Sequence, residues 1–321
     1  MPKLQLGIDF GSSNITMVRA DKGIVLREAA VVAITGQKAV EFGNAAKKLV
    51  GKTKAGTDII APMQEGVLVN AEAGSLLLKA FVRRSWAEVA PSRIDAVFSV
   101  PLGSAPEERN ALQAASYMAG ISTVRFVPSS LAAALGADFN LESDKSVIIA
   151  NLGGGITDIA VISGGMVVSG CSISVGGGLM DSMTAEMLAN TKGLKVSTMS
   201  AERIKKDISS LYKNDISTSI ASGTKISAAE LNAAVQGFCL TVISAIKNVL
   251  AEVSDEILEE CVKSGLILCG GSAKINGIEK FFGSRLGVPA VLAAEPELCV
   301  AIGLQKLLNN PTLLKKVIEE N

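Results

Sequence analysis

The stretch Ser146–Ser169, SVIIANLGGGITDIAVISGGMVVS, decides the fold. Two apolar, β-branched runs flank the glycine cluster Gly153–Gly155, and this pattern is typical of a β-hairpin. Consecutive glycines leave backbone N–H groups uncovered by Cβ atoms, so such a turn can wrap closely around an anion. Thr157 and Asp158 add polar groups beside it. The alternative is a plain glycine-rich turn that binds nothing.

A second stretch of the same design stands near the N-terminus. Residues 4–18 read LQLGIDFGSSNITMV, in which an apolar strand leads through Asp9 into a turn of small residues and then into another strand. A pattern that occurs twice is an internal repeat, and it describes the whole fold. Two related hairpins from the two halves of a chain can face each other and hold a phosphate tail between them.

Composition limits the classes of protein. The 321 residues, of which 48% are apolar, are enough for one large domain or two ordinary ones. The 31 basic and 31 acidic residues balance, which argues against a nucleic-acid binder, because such a protein needs a basic surplus. No apolar run approaches the roughly 18–20 residues of a membrane span. The start, Met1-Pro2-Lys3, lacks the apolar core of a signal peptide, so a cytoplasmic location is expected.

The residue types narrow the chemistry further. The sequence contains no histidine, which excludes histidine triads, histidine general bases and histidine metal ligands. Any chemistry must use carboxylates, hydroxyls, lysines, backbone amides and a bound cation. The cysteines are widely spaced and form no CxxC motif, which predicts buried free thiols in a reducing compartment. They are Cys171, Cys239, Cys261, Cys269 and Cys299.

Strands and helices alternate along the rest of the chain, which favours an α/β fold. Serines mark several predicted helix starts: Ser104 and Ser227 open capping boxes, Ser130 caps a helix over 131–135, and Ser200 precedes a helix that ends at Leu211. The helix after Ser227 is predicted to reach about residue 253, with apolar residues spaced for a core face.

Two further glycine turns are candidates for ligand binding. The triglycine at 176–178 stands between a strand and a helix and is similar to an anion-binding helix entrance, although a flexible turn is the alternative. Gly270-Gly271-Ser272 follows a buried strand, and its bare backbone lets a flat aromatic ring lie against it. A tight strand-to-helix corner is the competing interpretation.

The order and spacing of these motifs identify a family. The chain resembles the actin–Hsp70–sugar kinase superfamily and, within it, the bacterial actins of the MreB type, to which the segment Gly23–Glu28 and the closing residues are also similar. The motifs that support the resemblance are GIDFGS (7–12), LAAALG (131–136), NLGGGITD (151–158), VGGG (175–178) with Asp181, AERIK (201–205), LCGGS (268–272) and the segment from Glu295 to Gly303.

The resemblance implies an α/β fold of two lobes, each with an RNase H-like core, around a cleft that binds ATP or ADP with Mg²⁺. Lobe I would comprise a core at 1–30, 65–140 and 305–321 and a small subdomain at 31–64. Lobe II would comprise a core at 141–178 and 254–304 and a small subdomain at 179–253.

It also implies roles for single residues. Asp9 would face the cation, backbone amides of the two hairpins would cradle the phosphates, and Glu202 and Lys205 would reach the ribose or adenine. Backbone donors and a divalent cation are what a polyanion needs. The implied cofactor-binding residues are Gly11, Ser12, Ser13, Asn14, Gly153, Gly154, Gly155, Ile156, Gly177, Gly178, Glu202, Lys205, Gly270, Gly271 and Ser272.

The catalytic positions depart from the family pattern. Ser129-Ser130 stands where MreB-type proteins carry a Glu-Pro pair whose glutamate positions the attacking water, and Asn151 stands where an aspartate is usual. Ile156-Thr157 replaces a tandem threonine, and Gly178 replaces a common aspartate. Base and positioning roles are each worth roughly 10²–10⁴-fold. We therefore expect nucleotide binding with slow or absent hydrolysis, unless another carboxylate such as Asp158 substitutes.

The resemblance implies a homopolymeric filament, since a head-to-tail interface propagates into an open polymer. The alternatives are a non-polymerising Hsp70-like or kinase-like nucleotide-binding regulator and a scaffold that has lost nucleotide. A membrane contact is expected, if anywhere, at the loop from Trp86 to Pro91, which holds the only tryptophan. A half-buried tryptophan is the alternative there.

Overall fold

A computed structural model describes residues 3–53, 55–86, 91–212, 216–220 and 223–318. The chain divides into two compact units: residues 1–141 with 298–321, and residues 142–297. Residues 298–304, which the sequence placed with the second lobe, lie in the first unit, because the helix that they begin packs against the elements of that unit.

The first unit is built on a five-stranded sheet of mixed direction. The strand order is β10-β9-β1-β2-β3. Strands β1, β2 and β3 form an antiparallel meander, and β9 and β10 run parallel to β1 on its other side. The strands are β1 (Lys3–Phe10), β2 (Asn14–Arg19), β3 (Gly23–Ala29), β4 (Val32–Thr35), β5 (Lys38–Phe42), β6 (Thr57–Ile60), β7 (Met63–Gln64), β8 (Val67–Leu68), β9 (Arg93–Val100) and β10 (Thr123–Pro128). The described strands β4, β5 and β6 form a separate small sheet, and β7 pairs with β8.

Helices cover the sheet of the first unit. One face of the sheet packs its apolar side chains, among them the buried Phe98 and Phe126, into a core shared with Phe81 of α2. The other face lies against α10. The helices are α1 (Gly43–Lys47), α2 (Ala71–Arg84), α3 (Pro106–Met118), α4 (Ser129–Gly136), α10 (Cys299–Asn309) and α11 (Pro311–Val317).

Helices α4 and α10 touch backbone to backbone. A Cβ atom on Gly136 would lie 1.8 Å from the carbonyl oxygen of Cys299, and one on Gly303 would lie 1.8 Å from that of Ala132. No side chain fits at either position, so both glycines are required by the close approach of the helices. The two small-residue motifs therefore join α4 and α10 within the first unit.

The second unit repeats the sheet of the first. Its strands follow the order β13-β12-β11-β16-β17, with the first three antiparallel and the last two parallel to β11. The meander, the parallel strands and the order are the same as in the first unit, which confirms the internal repeat. The strands are β11 (Val147–Leu152), β12 (Thr157–Ser163), β13 (Met166–Ile173), β14 (Ser217–Ser219), β15 (Lys225–Ser227), β16 (Leu266–Cys269) and β17 (Ala290–Leu292).

The long helix α7 anchors the core of the second unit, where Phe238, Val242 and Ile246 are buried. It is the one helix among the described residues that is long and apolar enough to cross a membrane, with a mean hydropathy of 1.5. This helix contradicts the expectation that no apolar run of the sequence approaches the length of a membrane span. Its buried stripe identifies it as a core helix. The helices are α5 (Gly177–Lys192), α6 (Thr198–Ile208), α7 (Ala228–Leu250), α8 (Asp255–Ser264) and α9 (Ile278–Leu286).

Of the four helix starts predicted at serines, the structure confirms one and contradicts three. The capping box at Ser227 is confirmed, with Glu230 accepting from the Ser227 amide at 2.8 Å. The helix start predicted after Ser200 is wrong, because α6 already begins at Thr198 and the Ser197 hydroxyl caps it by accepting from the Ser200 amide. The helix ends at Ile208, before the predicted Leu211. Ser104 is also not a cap, since the helix there follows Ala105.

The third error concerns Ser130. Helix α4 already begins at Ser129, with Pro128 in the capping position, so Ser130 lies inside the first turn. Its hydroxyl is fully buried and has no hydrogen-bond partner among the described residues.

All five cysteines are free, and four of them are buried, as the sequence predicted. Cys171 is half-buried. Burial raises the pKa of the Cys239 thiol to about 12, against a small opposing effect of Arg285. Such a thiol stays protonated and inert at neutral pH.

Candidate functional site

The two glycine turns have the same internal geometry. The Gly11 amide donates to the Asn14 carbonyl at 3.0 Å, and the Gly153 amide donates to the Ile156 carbonyl at 2.9 Å. In both turns one hydrogen bond closes a loop around two central residues. No carbonyl of the described residues accepts a hydrogen bond from the central amides Gly154 and Gly155. These amides are available to an anion.

Side chains at the end of β1 and β9 flank the first turn. The Ser99 hydroxyl donates to an Asp9 carboxylate oxygen at 3.0 Å, and Asp9 is half-buried. The Ser12 hydroxyl accepts a long hydrogen bond, 3.4 Å, from the Gly66 amide of the β7–β8 turn. The Ser13 carbonyl accepts from Ala30 at 3.0 Å. Asp9 thus stands beside the turn with one of its oxygens already oriented.

The second turn is held from behind by three hydrogen bonds to its carbonyls. The Gly153 carbonyl accepts from the Gly177 amide at 2.9 Å and from the Ser272 hydroxyl at 3.1 Å. The Gly154 carbonyl accepts from the Gly178 amide at 2.8 Å. The amides of Gly177 and Gly178, which were expected to form an anion-binding helix entrance, therefore hold the turn over Gly153–Ile156 in place. The carbonyls of this turn, called the phosphate turn below for its proposed role, lie over the start of α5.

Lys205 completes this arrangement. Its ammonium donates to the Gly177 carbonyl at 2.7 Å and lies 2.7 Å from a carboxylate oxygen of Asp181. Burial raises the pKa of Asp181, and the charge of Lys205 lowers it by less. The sequence indicated Lys205 as a ligand-binding residue but gave Asp181 no role. The sequence shows only that Asp181 follows the triglycine by one helical turn, and its pairing with a lysine of the next helix appears in the structure alone.

Glu202, the second predicted ribose contact, is engaged on its own helix. Its carboxylate accepts from Lys206, one turn further along α6, at 2.6 Å. Such a pair four residues apart stabilises a helix by only a few tenths of a kcal/mol, so little free energy is lost when a ligand breaks it.

The turn after β16 combines close packing with open space. Gly270 has a φ of 84°, and a Cβ there would lie 2.3 Å from the Leu152 carbonyl oxygen, so only glycine fits. The Gly270 amide donates to Pro296 at 2.6 Å. Above Gly271, by contrast, no atom of the described residues lies within 4 Å of the point that a Cβ would occupy. A flat ring can lie against this backbone.

Asn151 and Asp158 form a directly opposed pair across β11 and β12. Opposed residues of antiparallel strands point to the same face of the sheet. Asp158 is only 1% exposed, and its carboxylate accepts from the Ser172 hydroxyl. A carboxylate so enclosed has little access to water, which argues against its replacing the missing glutamate.

The position that the resemblance assigns to the water-positioning glutamate carries a neutral serine. Ser129 is the first residue of α4 and is 7% exposed. Among the described residues no three His, Cys, Asp or Glu side chains cluster as a metal site. Asp9 therefore fits Mg²⁺ only in the way usual for nucleotide sites, in which one carboxylate, water and the phosphates share the coordination.

Of the loop predicted to contact a membrane, residues 87–90 lie outside the described residues. Trp86 is half-buried and packs against the core of the first unit. The described part of the loop thus agrees with the packing alternative.

Comparison with known proteins gives one consistent result. Residues 3–316 match the family described as MreB/Mbl protein. The chain is 28% identical to the cell shape-determining protein Mbl of Bacillus subtilis, over 97% of both chains.

Two solved structures agree with this match. The crystal structure of MreB5 of Spiroplasma citri bound to ADP is 27% identical, covers 98% of each chain and superimposes with a TM-score of 0.90. A double helical filament of MamK, 20% identical over 96% of this chain and 99% of that one, has a TM-score of 0.85 and shows the fold alone. The predicted actin-like α/β fold is thereby confirmed.

Proposed function

The chain belongs to the MreB/Mbl protein family, and from this membership we propose that it is an actin-like cytoskeletal protein that binds an adenine nucleotide and assembles into filaments. The observation that supports binding is the repeated turn. Each unit offers backbone amides at the end of a β-hairpin, and the second turn is fixed by three hydrogen bonds from behind. A preorganised set of donors suits a polyphosphate, because no donor must be reoriented when it binds.

The adenosine end of the ligand is proposed to lie on the second unit. The open backbone at Gly271 is suited to a base, and Lys205 and Glu202 lie on α6 as candidate ribose or adenine contacts. Mg²⁺ bound with the nucleotide neutralises part of the negative charge of the phosphates. Asp9 is the side chain proposed to face this cation through water. The related MreB5 was crystallised with ADP.

Isothermal titration calorimetry with ATP and ADP, each with and without Mg²⁺, tests nucleotide binding. We expect binding of both nucleotides that is stronger with Mg²⁺. The absence of binding would favour the alternative of a scaffold that has lost its nucleotide.

Filament formation needs a separate assay. We propose head-to-tail assembly in the cytoplasm, because a heterologous interface that does not close gives an open polymer. Pelleting with and without ATP, followed by electron microscopy, should show nucleotide-dependent filaments. A protein that binds nucleotide but stays monomeric at high concentration would instead be the non-polymerising regulator. Vesicle flotation of the wild-type protein and Trp86→Ala tests the separate prediction of a membrane contact.

Hydrolysis is proposed to be slow. Position 129 lacks a carboxylate, and the amide of Asn151 replaces a second one. The start of α4 is a favourable place for a negative charge, since the helix dipole is positive there. Ser129→Glu combined with Asn151→Asp should therefore raise phosphate release by roughly 10²-fold or more.

The matched control is Ser129→Gln combined with Asn151→Asp, which has the same size without the charge at position 129. An equal rise in both variants would show that a carboxylate at position 129 is not what limits the rate, since the two variants share Asn151→Asp and differ only in that charge. Wild-type phosphate release at the rate of an ordinary actin would contradict the proposal.

A further inference from the structure

The ion pair between Lys205 and Asp181 is nearly enclosed. Their side chains are 13% and 9% exposed, and 2.7 Å separates the ammonium nitrogen from the carboxylate oxygen. The ammonium also donates to the Gly177 carbonyl at 2.7 Å. A lysine has three donors, so these two contacts leave one N–H for another group. The ammonium nitrogen is thus held between a carboxylate of α5 and the backbone at the start of the same helix.

The same ammonium is linked to the phosphate turn through one residue. The carbonyl of Gly177 accepts from Lys205, and its amide donates to Gly153 at 2.9 Å. A Cβ on Gly177 would lie 2.9 Å from the Lys205 nitrogen and 2.9 Å from the Ser272 hydroxyl oxygen. The ammonium therefore occupies a space that only a glycine leaves open, next to the group that fixes the turn.

We propose that Asp181 is a positioning residue for nucleotide binding, which acts through Lys205 by holding its ammonium on the Gly177 carbonyl beside the phosphate turn. The inference rests on the proposed function and assigns a role to a residue that does not itself touch the ligand. Lysine is a flexible point charge on a four-carbon chain, so without a fixed anion its ammonium has no unique position. The carboxylate supplies that anion, and the short distance limits the ammonium to one place.

The groups that face Asp181 determine how the pair responds to pH. From α6, the charges of Lys205 and Lys206 lower the pKa of Asp181, whereas that of Glu202 raises it, and burial raises it most. From α7, Glu230 pairs with Lys192 at the far end of α5. Asp181 therefore takes up a proton at a higher pH than an ordinary aspartate, and protonation removes the anion that holds Lys205.

The test is a double-mutant cycle in nucleotide affinity. ATP with Mg²⁺ is titrated calorimetrically into the full chain and into Asp181→Asn, Lys205→Met and the double variant, each well below its unfolding temperature. Because each single change removes one partner of the ion pair that holds the ammonium, each should weaken binding by roughly tenfold or more. The double variant should bind no more weakly than Lys205→Met, because Asp181 acts only through Lys205.

A matched control and a pH series separate positioning from stability. Lys192→Met removes another ion pair of α5, 2.8 Å long, and should leave the affinity unchanged. As the pH is lowered from neutral, the wild-type affinity should begin to fall at a higher pH than an ordinary aspartate would cause, because the pKa of Asp181 is raised, and Asp181→Asn should lose this fall. A purely structural pair would move the unfolding temperature but not the pH profile of binding.

Three results would overturn the inference. The first is Asp181→Asn that binds ATP as tightly as the wild-type protein, even if it melts earlier. The second is additive losses in the double variant, and the third is a pH profile that Asp181→Asn leaves unchanged. A wild-type protein that binds no nucleotide would overturn the proposed function itself, and this inference with it, so the two failures are distinguishable.

Discussion

Replacing Gly176 by alanine should push the phosphate turn out of place. The backbone of Gly176 is extended, with φ −148° and ψ −174°, so alanine can adopt it without strain. Its Cβ, however, would lie 2.6 Å from the Gly154 carbonyl oxygen and 2.8 Å from the Gly155 carbonyl carbon. Ordinary contact begins at 3.4 Å, which leaves a shortfall of 0.8 Å against backbone atoms.

The expected cost follows from this shortfall. Overpacking of this kind lowers the free energy of unfolding by roughly 1–3 kcal/mol. Here the atoms that the added Cβ would overlap all belong to the phosphate turn. Since about 2–4 °C of unfolding temperature corresponds to 1 kcal/mol in a domain of this size, Gly176→Ala should melt several degrees earlier. Movement of the turn should also weaken ATP binding by roughly tenfold. Differential scanning calorimetry and ATP titration measure the two effects.

Gly178→Ala provides the graded comparison. Its Cβ would lie 3.3 Å from the same Gly154 oxygen, so a shift of a few tenths of an ångström suffices. We expect a clearly smaller loss in both assays. Gly176→Ala with wild-type melting and wild-type binding would refute the reasoning, and so would equal losses at both positions.

Two further changes should act on stability alone. Gly237→Ala lies inside α7, where its Cβ would meet only the Met183 methyl at 4.0 Å, so the better helix propensity of alanine should raise the free energy of unfolding by about 0.5–1 kcal/mol, as chemical denaturation would show. Asp95 is 5% exposed on its side chain, and although burial alone would raise its pKa, hydrogen bonds from Lys3 and Arg93 outweigh it and lower the pKa below 3.8. A carboxylate whose pKa is lower in the folded than in the unfolded chain stabilises the fold only while it is ionised. Asp95→Asn should therefore lower the free energy of unfolding by roughly 1–2 kcal/mol at neutral pH, and this difference from the wild-type protein should vanish as the pH falls below 3.8. A difference that grew on acidification would contradict this.

The parts of the structure that sequence predicted well are local. The hairpin of β11 and β12, the turn at Gly153 and the cap at Ser227 depend on residues a few positions apart, and each is found where expected. Helix α8 was missed although Ser254 caps it, because its apolar stripe is short and only Cys261 is buried. The error at Ser200 arose because Ser197 offers the same signal three positions earlier, whereas at Ser104 the capping box lies one residue further on, at Ala105 and Glu108.

The parts that sequence did not predict depend on contacts between distant segments. Nothing local shows that the Gly177 amide points at Gly153, since 24 positions separate them and only the packed sheet brings them together. The pairing of Asp181 with Lys205 between two helices is of the same kind. The family resemblance pointed to these segments, but the hydrogen bonds that the α5 amides make required the coordinates.

The two turns, alike in shape, are held with different stiffness. The first turn accepts two hydrogen bonds, a 3.4 Å bond to the Ser12 hydroxyl and a 3.0 Å bond to the Ser13 carbonyl, whereas three bonds of 2.8 to 3.1 Å restrain the second. If each turn binds an anion as proposed, the first turn should therefore lose more conformational entropy than the second. Amide hydrogen exchange would register this as a large slowing at Ser12 and Ser13 and a small one at Gly154. Two turns of the same backbone shape thus differ in how firmly their own unit holds them.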